Sequence, residues 1–261
     1  MTIAAVIFDW AGTTIDYGCF SPLRPFINAF QKHGLIVTMS EARGPMGKLK
    51  IDHVRELLSL PTVANQFEQL HNREATEADV LAIYHDFEQQ VFAGLAEFVV
   101  PLPNVIPTIE QLRSLGLKIG STTGYTREMM EIVLPLAKDQ GYSPDFCVTA
   151  SEVKRGRPYP YMIYKNMLEL DIADIKTVIK VGDTLSDIRE GVNAGCIAVG
   201  VIEGSSELGL SLAEFNALDA ATKNCEMKKV RFRMYAAGAD YVIDNIAELP
   251  ELIHAINAAS Q

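Results

Sequence analysis

Residues 3–14 have the sequence Ile3-Ala4-Ala5-Val6-Ile7-Phe8-Asp9-Trp10-Ala11-Gly12-Thr13-Thr14. The run over residues 3–8 is apolar and rich in β-branched side chains, which is typical of a strand buried on both faces. It stops at an acid, Asp9, and a glycine-containing turn follows. A carboxylate in this position can attack phosphorus and form an acyl phosphate that water later cleaves. Taken alone, Asp9 is also consistent with a residue that merely ends a strand.

Further short apolar runs predict strands at residues 118–121, 145–148, 177–181, 196–201 and 240–243. Helical patterns lie between them, at residues 106–115, 127–138, 161–170, 186–194 and 246–259. Residues 208–234 are also predicted to be helical, with a break near Asp219. Strands that alternate with helices indicate an α/β fold with a doubly wound parallel sheet, a Rossmann-like core. In such sheets the active site gathers beyond the carboxyl ends of the strands.

One stretch interrupts the alternation of strands and helices. Between the first strand and the first core helix the pattern is helical, at residues 23–33, 50–58 and 78–96. We therefore expect a core domain of residues 1–20 and 99–261, with an all-helical cap domain of residues 21–98 inserted into it. An insert at this point lies above Asp9 and can act as a lid.

Composition narrows the class of protein. The chain has 261 residues and a formal net charge of -10, which argues against binding to a nucleic-acid backbone but allows a small anionic substrate. Its four cysteines form no CxxC pair, so neither a disulfide framework nor a zinc site is indicated. No apolar run is long enough for a membrane span, and the first residues lack the features of a secretory signal. We expect a cytoplasmic protein with no membrane or nucleic-acid partner.

Three more polar motifs follow predicted strands. Thr123, in a Ser-Thr-Thr-Gly stretch, can donate a hydrogen bond to a phosphate oxygen, and Arg157 can neutralise phosphate charge with a planar fork of donors. Asp183 and Asp187 are paired oxygen ligands of the kind that Mg²⁺ prefers. Each motif also has a purely structural interpretation: a Thr-Gly turn, a surface arginine, and a helix-capping acid beside a solvated one.

The four motifs occur in the order acid, hydroxyl, cation and paired acids. In this order, and with a helical insert after the first motif, the chain resembles the haloacid dehalogenase-like hydrolase superfamily over essentially its whole length. The resemblance implies that Asp9 is the nucleophile and that Thr123 and Arg157 hold the phosphoryl group. It also implies a Mg²⁺ site made of these groups: Asp9, the backbone carbonyl of Ala11, Asp183 and a supporting Asp187.

Ala11 departs from the usual pattern of phosphatases in this superfamily. They carry an acid two residues after the nucleophile, which protonates the leaving alkoxide. Ala11 has no proton to give. If the bond that breaks is carbon–phosphorus, the departing carbanion needs a different electron sink, and an imine between an aldehyde and a lysine provides one. A helix that begins near residue 48 would carry Lys50, His53, Val54 and Leu57 on one stripe.

The environment of Lys50 is predicted to favour a free amine. Apolar neighbours, together with an imidazolium if His53 is charged, would lower the pKa of Lys50. Lys48 lies on a different face and is predicted to be solvated. From spacing alone, Lys50 is also consistent with an ordinary lysine on a helix surface.

Several stretches are more specific and closely resemble the phosphonoacetaldehyde hydrolase family. They are FDWAGTT (residues 8–14), DYGCF (16–20), PMG (45–47), KIDHVR (50–55), GSTTGYTREMM (120–130) and GRPYP (156–160). The resemblance implies cleavage of phosphonoacetaldehyde to acetaldehyde and phosphate, with Lys50 as the Schiff-base residue. It further implies a homodimer, and a site lined by Cys19, Met46, His53 and Tyr125.

Three other functions remain open from the sequence. A phosphomonoesterase of the same superfamily would need an acid from elsewhere, such as His53. A non-catalytic phosphoryl-binding protein would not need the full set of polar motifs. Haloalkanoate dehalogenation would leave the acidic pair Asp183 and Asp187 without a use.

Overall fold

Six parallel strands form a single sheet in the computed structural model, which describes residues 2–259. The strands are β1 (Ala5–Phe8), β2 (Lys118–Thr123), β3 (Phe146–Thr149), β4 (Val178–Gly182), β5 (Ile197–Val201) and β6 (Tyr241–Ile243). Their spatial order is β3-β2-β1-β4-β5-β6. This order places β1 at the point where the winding of the sheet reverses, which is the usual ligand site of doubly wound sheets. The predicted fold class is confirmed, and β1 begins two residues later than predicted.

The strand register brings the predicted motifs together. Phe8 at the end of β1 pairs with Ser121 of β2 on one side and with Val181 of β4 on the other. The backbone N–H of Asp9 donates to the carbonyl of Val181 at 2.9 Å. The residues that follow these three strands therefore lie side by side at the carboxyl edge of the sheet.

Seven helices accompany the strands after β1. They are α6 (Val105–Ser114), α7 (Arg127–Asp139), α8 (Tyr161–Glu169), α9 (Leu185–Ala194), α10 (Leu212–Ala217), α11 (Ala220–Ala236) and α12 (Leu249–Ala259). The predicted break near Asp219 is confirmed, because the Asp219 carboxylate caps α11 by accepting from the N–H groups of Ala221 and Thr222. The predicted start at residue 208 is wrong, since α10 begins at Leu212. Nowhere in residues 2–259 is there a helix with both the length and the apolar character that crossing a membrane requires.

Between β1 and α6 the described elements are all helical. This helical segment contains α1 (Leu23–Lys32), α2 (Met39–Arg43), α3 (Lys50–Ser59), α4 (Pro61–His71), α5 (Glu77–Gly94) and a 3₁₀ turn at Leu95–Phe98. Stacked rings at its centre, Phe26 of α1 and Phe87 of α5, have centroids 4.0 Å apart. The division of the chain into two domains at residues 20 and 98 stays a prediction.

Helix α3 has a buried face that matches the predicted stripe. Lys50, His53, Val54 and Leu57 are all buried. Because residues three and four apart share a face of a helix, the first turn of α3 carries its lysine inward together with apolar residues. Lys48 precedes the helix and pairs with Glu56, on a half-exposed face of the segment.

Candidate active site

Asp9 lies directly after β1 and is almost completely buried, with 4% of its surface exposed. Burial raises the pKa of its carboxyl group, and the nearby charges of Arg157 and Lys180 oppose that rise. Nη2 of Arg157 is 2.7 Å from Oδ1 of Asp9. The carboxylate therefore faces a cation at the carboxyl edge of the central strand.

Asp9 shares this edge with two further buried carboxylates. Single oxygen atoms of Asp9, Asp183 and Asp187 lie within 4.8 Å of one another. Asp183 accepts hydrogen bonds from the hydroxyl of Thr13 at 3.2 Å and from the N–H of Ser206 at 2.7 Å. Burial and the negative charges of Asp9 and Asp187 raise the pKa of Asp183 well above its usual value. Clustered carboxylates of this kind are ligands for a hard divalent cation.

The balance of buried charge supports the same conclusion. Three buried carboxylates, those of Asp9, Asp187 and Glu190, form ion pairs with two buried cations, Arg157 and Lys180. The buried carboxylate of Asp183 forms no ion pair within residues 2–259. A divalent cation would compensate negative charge in this cluster, and the residues present therefore fit a divalent metal.

Asp187 differs from Asp183 in how its oxygens are engaged. Its Oδ2 accepts from the hydroxyl of Thr184 at 2.6 Å, and its Oδ1 lies 2.9 Å from Nζ of Lys180 and 3.2 Å from Nη2 of Arg157. Burial works to raise the pKa of Asp187, but these two cations outweigh it and the pKa is lowered. Both oxygens already have partners within the protein, which fits a supporting position beside the metal.

Arg157 is buried and its donors are divided among several acceptors. Besides Asp9, it contacts Oε2 of Glu190 through Nε at 2.9 Å and the hydroxyl of Thr122 through Nη2 at 2.7 Å. Nη1 donates to the carbonyl of Gly47 in the helical segment at 3.2 Å. A planar fork of five donors can make all these contacts at once, and an ammonium group cannot.

A buried network behind Arg157 was not predicted from the sequence. Lys180, in the middle of β4, has 1% of its surface exposed, and its Nζ donates to the Thr122 hydroxyl at 3.0 Å. The same hydroxyl donates to Glu190 at 3.2 Å. A signal for it was present, because a lysine inside an apolar strand is almost never fully buried unless it is paired.

Lys50 is placed near Asp9 without a charged partner. Its side chain is buried, with 3% exposed, and its Nζ lies 5.1 Å from the ring centroid of Tyr125 and 6.0 Å from that of Phe26. Within residues 2–259 it makes no ion pair and no hydrogen bond. Burial lowers the pKa of Lys50, which increases the fraction of free amine.

His53 does not supply the positive charge that was considered for it. The imidazole is completely buried, its Nε2 lies 2.9 Å from the carbonyl oxygen of Ala42, and it stacks on Phe26 with centroids 3.9 Å apart. Burial, and after it the charge of Lys50, lowers the pKa of His53 well below 6.5. The imidazolium that the sequence left possible beside Lys50 is therefore disfavoured at neutral pH. Since a carbonyl only accepts, Nε2 carries the proton and Nδ1 is left without a hydrogen-bond partner.

Comparison with known proteins agrees with this geometry. Residues 3–195 match the haloacid dehalogenase-like hydrolase family. A phosphonoacetaldehyde hydrolase from Bacteroides fragilis is 52% identical over 98% of this chain and 97% of its own length. This chain belongs to the phosphonoacetaldehyde hydrolase family.

Two further proteins extend the comparison with the phosphonoacetaldehyde hydrolase family. A bifunctional phosphonoacetaldehyde hydrolase/aminoethylphosphonate transaminase from Clostridioides difficile is 53% identical over 96% of this chain, which spans 40% of that relative. The crystal structure of a phosphonoacetaldehyde hydrolase-like protein from Oleispira antarctica superposes with a TM-score of 0.96 at 37% identity, covering 99% of this chain and 94% of the other. The fold and the helical segment are therefore shared with that protein along nearly the whole chain.

In this member of the phosphonoacetaldehyde hydrolase family, most of the predicted site residues line one small cavity. Its volume is about 10 Å³, and it is bordered by Asp9, Ala11, Cys19, Lys50, Thr123, Tyr125 and Arg157. Met46 and His53 are buried in the adjoining helical segment. A surface pocket of about 330 Å³ is lined by residues of that segment, among them Arg55 and Glu77, and does not include Asp9. The roles of these side chains stay predictions.

The cavity is closed by a tight turn of the helical segment. Gly47 has a φ of +82°, and a Cβ there would come within 2.5 Å of the Thr184 hydroxyl. A Cβ on Gly124 would clash with the carbonyl of Lys48. Little free space is left between Asp9 and Lys50, because 10 Å³ holds no more than about one water molecule.

Cys19, Thr123 and Tyr125 make the inner wall of the closed site. The hydroxyl of Tyr125 lies 2.6 Å from that of Ser21, and the Thr123 hydroxyl accepts from the N–H of Tyr125 at 3.1 Å. Burial raises the pKa of the Cys19 thiol and of the Tyr125 phenol well above their usual values. Both groups are therefore neutral at physiological pH.

Proposed function

We propose that this protein hydrolyses the carbon–phosphorus bond of phosphonoacetaldehyde to give acetaldehyde and phosphate. The observation that carries the proposal is a buried lysine amine without a charged partner, Lys50, in the same small cavity as the Asp9 carboxylate. Ala11 in that cavity offers no acid for an alkoxide leaving group. The names of relatives that are about half identical over nearly the full length support the same substrate.

We propose Mg²⁺ as the metal. The groups that would hold it are Asp9, the carbonyl of Ala11 and Asp183, with Asp187 in support. When bound, Mg²⁺ would supply positive charge that draws an anionic phosphonate toward Asp9. Thr123 and Arg157 would bind the remaining phosphonate oxygens, Thr123 through one hydroxyl donor and Arg157 through its fork.

The reaction begins at the aldehyde carbon. The free amine of Lys50 adds to the carbonyl, the carbinolamine hydroxyl takes up one proton from a neighbouring donor and leaves as water, and a protonated imine remains. A lowered pKa increases the fraction of Lys50 in the free-amine form, the form that can add. Water would reverse this step, and the closed lid over Lys50 keeps bulk water away from the imine.

Bond cleavage follows at phosphorus. A carboxylate oxygen of Asp9 attacks phosphorus, the carbon–phosphorus bond breaks, and its electron pair moves into the imine to give an enamine on Lys50. One water molecule then hydrolyses the aspartyl phosphate to phosphate. Protonation of the enamine carbon and a second water molecule release acetaldehyde and restore the amine.

Neutral groups around Lys50 are proposed to handle these protons. The unpartnered Nδ1 of His53 can accept a proton, and the neutral thiol of Cys19 and phenol of Tyr125 can donate one. Met46 fills space beside them and keeps the surroundings of the amine apolar. The protonated Nε2 of His53 is held by a backbone carbonyl, so its geometry does not favour the general-acid role that a phosphomonoesterase would need.

Reductive trapping tests the proposal. Phosphonoacetaldehyde and borohydride are added to the enzyme with Mg²⁺, and the labelled peptide is mapped by mass spectrometry. We expect a stable adduct on Lys50. An adduct on Lys48, or none, would contradict the Schiff-base step. A parallel assay with a panel of phosphate esters tests the alternative activity, since faster release of phosphate from esters than from phosphonoacetaldehyde would favour a phosphomonoesterase.

Assembly is proposed on the family resemblance, and location on the composition of the sequence. We infer a homodimer, which light scattering after size-exclusion chromatography measures directly. We also infer a cytoplasmic location, which fractionation of cells that express the protein would test. Neither inference is needed for the chemistry at Lys50 and Asp9.

A further inference from the structure

Arg43 ends α2 and reaches out of the helical segment to backbone carbonyls of the core. Its Nη1 donates to the carbonyl of Gly18 at 2.7 Å and contacts that of Ser206 at 3.4 Å. Its Nη2 donates to the carbonyl of Gly209 at 3.3 Å. The guanidinium carbon lies 4.8 Å from the ring centroid of Phe20. All four partners lie outside the helical segment.

These acceptors are neutral. No carboxylate among residues 2–259 lies within ion-pair distance of Arg43. The position of a guanidinium that binds three carbonyls and one ring is set by the directions of its N–H groups, which are fixed in the planar fork. The contacts therefore specify where the end of α2 sits on the core, and a flexible ammonium could not make them together.

Arg43 stands close in sequence to the turn that closes the cavity. Residues 44–49 connect it to Lys50, and the Arg43 carbonyl accepts from the N–H of Met46 within that connection. On the core side, the N–H of Ser206 donates to Asp183 at 2.7 Å, while the carbonyl of Ser206 meets Arg43. One residue thus contacts both the acidic cluster and the arginine of the lid.

The second loop that Arg43 contacts, residues 16–21, is also held in place by hydrogen bonds of the core. The Asp16 carboxylate accepts from the N–H groups of Phe20 and Ser21, and the N–H of Gly18 donates to the carbonyl of Gly204. Arg43 therefore binds two loops that are themselves held in place. The two loops keep these hydrogen bonds to the core whether or not Arg43 binds them.

We propose that Arg43 is a positioning residue that fastens the helical segment to the core and holds Lys50 over Asp9 in the closed site. The inference rests on the proposed function for its role in catalysis. Its structural part, the closed position of Lys50, is independent of that function and is measured without substrate.

Acetylation of lysine side chains by acetic anhydride, mapped by mass spectrometry, tests the role of Arg43 in the unliganded protein. Lys50 is buried, so it reacts only when the lid opens, and its rate follows the population of the open form. Arg43→Lys and Arg43→Gln remove charge-assisted hydrogen bonds and should raise the rate at Lys50 by at least about tenfold. Exposed Lys228 provides the reference rate.

Two controls separate lid opening from other effects. Arg55→Lys alters an arginine whose partners, Asp52 and Glu77, both lie within the helical segment, and it should leave the rate at Lys50 unchanged. Lys180 is buried in the core and should stay unreactive in the Arg43 variants. A wild-type rate at Lys50 would overturn the proposal, as would equal acceleration at Lys50 and Lys180, which would mean that Arg43 stabilises the whole fold.

Kinetic assays of the Arg43→Lys and Arg55→Lys variants show whether the contacts of Arg43 with the core affect turnover. We expect kcat/KM for phosphonoacetaldehyde to fall at least about tenfold in Arg43→Lys, with wild-type values in Arg55→Lys. Unchanged turnover in Arg43→Lys would overturn the catalytic part of the proposal. If the wild-type protein does not turn over phosphonoacetaldehyde at all, the proposed function fails, and the acetylation result still decides whether Arg43 holds the lid.

Discussion

Nη2 of Arg157 lies 2.7 Å from Oδ1 of Asp9, at the point where β1 ends in the centre of the sheet. Both side chains are buried, and Nε of the same guanidinium lies 2.9 Å from Oε2 of Glu190. Burial favours a protonated Asp9, whereas the arginine favours the carboxylate. The nucleophilic role proposed for Asp9 requires the ionised carboxylate, and Arg157 favours that form.

Arg157→Lys is expected to lower kcat/KM for phosphonoacetaldehyde by at least about 100-fold, because lysine cannot reach Asp9, Glu190 and the Gly47 carbonyl together. Steady-state kinetics of the purified variant give the value. Arg155→Lys, at a neighbouring arginine that contacts Tyr159, is the matched control and should retain wild-type kinetics. A loss of less than tenfold in Arg157→Lys would mean that a point charge is sufficient at this position.

Lys180→Met is expected to lower the free energy of unfolding by about 3–5 kcal/mol, since it leaves the buried carboxylate of Asp187 without its closest cation. Urea denaturation monitored by circular dichroism measures the change. Lys229→Met removes a lysine from an exposed pair with Glu226 and should leave the free energy of unfolding close to the wild-type value. Equal effects of the two substitutions would show that the buried network contributes no more than a surface pair.

The parts of the site that could be predicted from the sequence are those fixed by strand ends. Asp9, Thr123 and Asp183 stand at or directly after β1, β2 and β4, and parallel strands bring such residues to one edge whatever the details of packing. The stripe on α3 with Lys50 follows from helical periodicity in the same way. A local sequence pattern is enough to predict the position of a site residue when a single strand or helix determines that position.

The remaining features depend on which side chains meet across elements. Lys180 and Glu190 both form hydrogen bonds with the Thr122 hydroxyl, and neither spacing nor periodicity in the sequence predicts these contacts. The charge state of His53 depends on how deeply its side chain is buried, and the sequence left that open; burial lowers its pKa and favours the neutral imidazole. The contacts of Arg43 could not be predicted from the sequence, because its partners are backbone carbonyls and any residue type can supply one.

Lys50→Arg is expected to lower the turnover of phosphonoacetaldehyde by at least about 1000-fold while binding is partly retained, because a guanidinium keeps the charge but forms no imine. Single-turnover and steady-state assays measure the loss. Lys48→Arg is the matched control, since Lys48 pairs with Glu56 on another face and should keep the wild-type rate. Turnover by Lys50→Arg within tenfold of wild type would rule out the Schiff-base mechanism.

The pH dependence of kcat/KM should report the free amine of Lys50. Burial lowers its pKa from 10.5, so protonation is lost at a lower pH than for an exposed lysine, and kcat/KM should rise with pH and level off below 10.5. The protonated amine cannot add to an aldehyde, which sets the sign of this limb. Rates measured from pH 5 to 11 with Mg²⁺ held saturating test it. A limb that still rises above pH 10.5 would contradict a buried reactive amine.

Asp183→Asn separates two effects of the acidic cluster on stability, namely repulsion among the carboxylates and binding of the metal. Without metal, burial and the charges of Asp9 and Asp187 disfavour the ionised form of Asp183, so a neutral asparagine costs little there and the variant should unfold at the same temperature as wild type or higher. With Mg²⁺ at 100 times its Kd, the wild-type protein should gain about 2.7 kcal/mol, and the variant should gain almost nothing. Thermal unfolding in EDTA and in Mg²⁺ measures both.

Asp219→Asn is the control for Asp183→Asn, because asparagine caps a helix as well as aspartate does, and it should respond to Mg²⁺ like wild type. The two carboxylates differ in the property at issue: Asp183 is buried within the acidic cluster, and Asp219 is exposed at the start of α11. If Asp183→Asn were destabilised in EDTA and still stabilised by Mg²⁺, Asp183 would be a structural residue. The metal would then have to bind through other groups.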